Sequence, residues 1–144
     1  MSTPTNQLLN VCEEDLDLFS YQGCVTQVKV TSVYDGDTFT GCFIDDGVLK
    51  KYKFRCAGYD SAELRQARNA PNREQAKARA RDDRQHFIDL VDRHSGGTQV
   101  LECLLDKFDK YGRILIHLPV DGTINREMVA SGHGYVYDGG TKQQ

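Results

Sequence analysis

The chain has 144 residues and a mass of 16.2 kDa, with 39% apolar residues, 27% charged residues and 3 prolines, values that fit one globular domain and exclude collagen, a long coiled coil and wholesale disorder. No apolar run approaches the roughly 20 residues of a membrane-spanning helix. The formal net charge is only −3, but residues 50 to 84 hold 11 Lys and Arg against 5 Asp and Glu, so a basic segment sits in an otherwise acidic chain.

The first 24 residues carry Glu13, Glu14, Asp15 and Asp17 and no Lys or Arg, unlike a secretory signal, so the expected location is inside a cell, without a membrane partner. They read as an acidic extension, residues 1–24, preceding one domain over 25–144. Leu8, Leu9, Val11, Leu16, Leu18 and Phe19 could pack on that domain, pair two subunits or stay mobile.

Val25 to Val33 has strand alternation, with Val28 and Val30 on one face, and Val33 breaks the alternation as a bulge or an end would. Thr38 to Ile44 is a second strand, and Asp45-Asp46-Gly47 is the turn after it. In Lys51 to Ala57, Tyr52, Phe54 and Cys56 alternate with Lys51, Lys53 and Arg55, which places Arg55 on the polar face.

A long helix is expected from Asn72, with Gln75 completing a capping box and Gly96-Gly97 ending it. Its core stripe is Ala76, Ala80, Phe87, Ile88, Leu90 and Val91. Val100 to Leu105 and Ile114 to Leu118 are two further strands. A short helix from Asn125, as cap, to Ser131 precedes Tyr135 to Tyr137, which closes the sheet or packs on it.

Five cysteines without a Cys-x-x-Cys pair support neither a disulfide framework nor a zinc site and are expected to be reduced core residues. The four histidines have no spacing that converges on a metal. Five strands with a helix inserted after the third are expected to curl into an α+β, five-stranded barrel of the oligonucleotide-binding (OB) type, with an amphipathic helix inserted and a short second helix.

Three polar clusters interrupt the apolar pattern: Asp35-Gly36-Asp37-Thr38, then Arg55 with Asp60-Ser61-Ala62-Glu63, then Asp109-Lys110-Tyr111-Gly112-Arg113. Each alone reads as a surface turn or an ordinary strand residue. Together, in this order and spacing from about Val25 to Gly132, they resemble the staphylococcal nuclease (thermonuclease) family. The resemblance implies a nuclease-like OB domain and a calcium site formed by Asp37, Asp60 and the Ser61 carbonyl. It also implies that Glu63 is a general base and that Arg55 and Arg113 are phosphate-binding catalytic groups. Lys110 and Tyr111 would contact a neighbouring phosphate. The family's usual residues at positions 61 and 62 are Thr and Pro; this chain has Ser61 and Ala62, and losing the proline frees the loop.

The implied activity is calcium-dependent, non-specific hydrolysis of DNA or RNA, single strands preferred, leaving 3′-phosphate ends. The alternative is a catalytically silent OB module that binds nucleic acid or a protein partner. Retention of Asp37, Arg55, Asp60, Glu63 and Arg113 favours the enzyme. Tyr135 and Tyr137 are better read as packing residues than as platforms for base stacking.

Overall fold

The computed structural model describes residues 6–63 and 71–136. The acidic extension holds one helical turn, α1 (Asn6–Leu9), and a 3₁₀ turn at Glu13–Asp15. Leu8, Leu9, Val11, Leu16, Leu18 and Phe19 are exposed. Tyr21 is what anchors this segment: it is buried, meets Phe43 and Tyr52 edge to face, and donates its hydroxyl to Asp45 Oδ2 at 2.8 Å.

The domain is built on β1 (Val25–Asp35), β2 (Thr38–Asp45), β3 (Val48–Cys56), β5 (Val100–Phe108) and β6 (Ile114–His117), with the two-residue β4 (Tyr59–Asp60) and β7 (Tyr135–Val136) outside the main sheet. The five main strands form a closed barrel in the order β1-β2-β3-β6-β5, antiparallel except for β3 against β6. This is the expected α+β barrel of the OB type, with α2 (Arg73–His94) inserted between β3 and β5 and α3 (Thr123–Ala130) after β6.

Closure follows from β1. It is 11 residues long, pairs with β2 and β5, and its register against β2 slips between Val30 and Ser32 and again between Val33 and Asp35. Each extra residue bends the strand and increases its twist, which is how a flat meander becomes a barrel. The expected break at Val33 is therefore a bulge, not an end. At the tip of the β2–β3 hairpin Asp46 and Gly47 both have positive φ, 50° and 77°, as a two-residue hairpin turn with the twist of its strands requires. Strand β3 consequently begins at Val48, three residues before the alternation becomes visible in the sequence.

The core is aromatic at one end. Phe39 stacks on Phe54 with ring centroids 5.1 Å apart, and Phe87 of α2 stacks on Phe39. Gly41 is demanded by packing: a Cβ there would lie 2.8 Å from the Lys29 carbonyl oxygen. Burial of such side chains contributes about 1.5–3 kcal/mol each, and α2 closes the barrel through Ala80, Phe87, Leu90 and Val91.

Three local expectations are corrected. Asn72 precedes α2 in a left-handed conformation, φ 54°, and makes no side-chain cap bond, so the capping box does not form. The short helix begins at Thr123 behind Gly122, and Asn125 lies inside it, buried. Its side chain accepts the Leu118 N–H and donates to the Ala57 and Ile116 carbonyls, a better use of a buried amide than a cap. Among the cysteines, Cys56 and Cys103 are buried, Cys42 is half-buried and Cys12 and Cys24 are exposed; all five are unpaired in disulfide terms. Tyr135 joins β4 in a separate two-stranded ribbon, while Tyr137 lies outside the described residues.

Candidate functional site

Asp37 and Asp60 meet because two short connections end at the same side of the barrel. Asp37 lies in the turn from β1 to β2, and Asp60 lies in β4 just after β3. Both are buried, as is Ser61 between them and the helix. The turn is fixed from several sides. Tyr59 donates its hydroxyl to the Gly36 carbonyl at 2.6 Å, the Ser61 N–H binds Asp37 Oδ2 at 2.8 Å, and the Thr38 hydroxyl binds Asp37 Oδ1 at 2.8 Å. Position 36 is tight, since a Cβ would lie 3.0 Å from the Asp83 carbonyl oxygen and 3.0 Å from the Ser61 side chain.

Arg55, near the end of β3, joins the two acids. Its guanidinium donates to the Tyr59 carbonyl at 2.7 Å and the Cys56 carbonyl at 3.1 Å, forms an ion pair with Asp60, and lies 3.4 Å from Asp37 Oδ2. Burial pulls the pKa of this guanidinium down, but the Asp37 and Asp60 carboxylates outweigh that and hold it above its ordinary value. Asp37 and Asp60 thus flank one guanidinium where little water reaches, which strengthens the pairing. Asp35, also buried, lies on the far side of Gly36.

The donor chemistry suits a hard cation: two carboxylates and the Ser61 main-chain carbonyl are oxygen ligands. The Ser61 Oγ is buried with no hydrogen-bond partner among the described residues, leaving a further oxygen at this point that the fold does not satisfy. Among the described residues, no three His, Cys, Asp or Glu side chains form a metal cluster.

Arg113 lies just before β6, the strand that pairs with β3. Across the parallel β3–β6 ladder Ile114 pairs with Phe54 and Leu115 with Arg55. Phe54 and Ile114 are fully buried, and Arg113 immediately precedes Ile114 at the start of β6. The β5–β6 turn is organised by Asp109, which accepts the N–H groups of Tyr111 and Arg113 and the Arg113 Nε at 2.6 Å. Burial alone would raise the Asp109 pKa; these donors together bring it below the ordinary value. Tyr111 is exposed, with Lys110 Nζ 5.1 Å and Arg113 Cζ 5.3 Å from its ring centre.

Glu63 is exposed at the end of the 61–63 segment, beyond Ser61 and Ala62. The basic segment divides in two. Lys51 and Lys53 are exposed on the polar face of β3 that leads to Arg55, whereas Arg84 of α2 is structural, donating Nε to the Val33 carbonyl at 2.9 Å. Tyr135 is half-buried, with the Arg79 guanidinium over its ring 4.7 Å away.

Sequence reasoning passed over Asp83 and His133. Asp83 is 2% exposed on α2, accepts the Ala62 N–H at 3.0 Å and lies 2.8 Å from His133 Nδ1. The signal was present: Asp83 occupies the helical spacing set by Ala76, Ala80 and Phe87, so the core stripe contains a carboxylate. No protein-family model and no curated protein matches the chain.

Proposed function

We propose that the protein is a calcium-dependent nuclease that hydrolyses phosphodiester bonds of DNA and RNA, with single strands preferred and 3′-phosphate ends left. The observation that supports it most is the convergence of Asp37, Asp60 and Arg55 from three separate elements. Acids that hold a hard cation beside arginines are the equipment of phosphoryl transfer to water, because the planar guanidinium fork matches the equatorial oxygens of a phosphorus gaining charge.

In this reading Asp37, Asp60 and the Ser61 carbonyl hold calcium, which supplies positive charge beside the scissile phosphate when bound. Glu63, exposed just beyond Ser61 and Ala62, accepts a proton from the attacking water. Arg55 and Arg113 donate to the phosphoryl oxygens. Lys110 and Tyr111 engage a neighbouring phosphate, and Lys51 and Lys53 draw the strand toward Arg55. A shallow barrel face reaches phosphates of a flexible single strand more easily than those of a stiff duplex.

The test is incubation of the purified protein with labelled single-stranded DNA, in calcium and in chelator. Cleavage in calcium alone is expected. Equal cleavage in both tubes, or retention of an intact strand by the protein in both, contradicts the reading, and the second result favours the silent binding module.

A further inference from the structure

The nuclease reading gives no part to Asp83, yet a buried carboxylate is kept in a helix core stripe only if specific partners stabilise it. Its partners come from two other parts of the chain. Asp83 Oδ2 accepts the Ala62 N–H at 3.0 Å, and Asp83 Oδ1 lies 2.8 Å from His133 Nδ1. His133 is itself held: its ring stacks on His86 of α2 with centroids 4.2 Å apart, and its main-chain N–H binds the Met128 carbonyl at 2.9 Å. The Asp83 main-chain carbonyl lies against Gly36, where a Cβ would come within 3.0 Å of it. One residue of α2 therefore touches both the turn that carries Asp37 and the segment that carries Asp60 and Ser61.

The identity of residue 62 matters to this contact. A proline would fix the local backbone by its ring and would have no N–H to donate. Alanine leaves the backbone freer but supplies the donor that Asp83 captures. We infer that Asp83, oriented by His133, is a positioning residue that clamps segment 60–63 through the Ala62 amide and so keeps the Ser61 carbonyl and Glu63 in register with Asp37. The catalytic consequence rests on the nuclease reading; the clamp does not.

The experiment compares wild type with D83A, D83N and H133F, measuring exchange of the Ala62 amide by NMR together with steady-state cleavage of single-stranded DNA in calcium. In folded D83A the Ala62 amide loses its protection, and kcat falls about 10–100-fold while KM stays within about twofold. D83N keeps an acceptor for the amide and retains most of the protection and rate, a rescue that mere loss of packing would not give. H133F produces a smaller loss of both. Wild-type protection and kcat in folded D83A overturn the inference. Should D83A not fold, unchanged protection in H133F overturns it and reduced protection supports it. If the wild type cleaves nothing, the nuclease reading fails, and the Ala62 exchange rate alone decides whether the clamp exists.

Discussion

Arg55 is the residue on which most of the site geometry depends. Its guanidinium satisfies two main-chain carbonyls while remaining beside two carboxylates, so its planar fork is used in several directions at once. Lysine keeps the charge but cannot make that set of contacts. Arg55→Lys is expected to leave the fold intact and to lower kcat on single-stranded DNA by roughly 10²-fold or more. Steady-state kinetics and circular dichroism on the same sample check this, and a folded variant with wild-type kcat contradicts it. At this scale the sequence, by the order and spacing of its polar clusters, singled out Asp37, Arg55 and Asp60, which the fold brings into contact. It was uninformative for Asp83, because a carboxylate amid Arg81, Asp82 and Arg84 looks like part of a solvated helix face until the packing stripe is laid through it. The partner that explains it, His133, is fifty residues away in sequence.

At the scale of elements, the strands and the long helix were legible because burial imposes a period of two or 3.6 on the side chains. Their ends were less so. Asn72 and Asn125 both satisfy the composition rule for a cap, yet one takes a left-handed backbone without capping and the other ties α3 to β6 and the β3–β4 turn. Tertiary hydrogen bonding decided the second. The β5–β6 turn carries its own test, because Asp109 holds it by accepting from Tyr111 and Arg113. Its carboxyl is held below the ordinary value of 3.8, so more protons bind in the unfolded chain than in the folded one as pH falls toward that range. The stabilisation is fully present above the ordinary value and is lost as pH falls through the depressed folded value. Urea midpoints measured across this acid range should fall more steeply in the wild type than in Asp109→Asn; parallel curves contradict the assignment.

For the molecule as a whole, closure of the barrel separates the cysteines into two populations. Burial pushes the Cys56 and Cys103 thiols up to about 12, so both are chemically quiet as well as shielded, whereas Cys12 and Cys24 are exposed. Brief alkylation of the native protein, read by peptide mass spectrometry, should label Cys12 and Cys24 first, with Cys56 and Cys103 labelled only after denaturant is added. Early labelling of Cys56 would mean that the β3 end, and with it Arg55, is less securely packed than described. The same closure brings the β1–β2 turn and β4 side by side, and the account stands or falls on whether the acids gathered there share one ion. Calcium titration calorimetry of Glu63→Gln with a short single-stranded oligonucleotide measures this directly, since the strand then persists during the titration. One calcium ion per chain is predicted, with binding lost when Asp37→Asn or Asp60→Asn is added; no uptake by Glu63→Gln, or uptake unchanged by either further substitution, contradicts it.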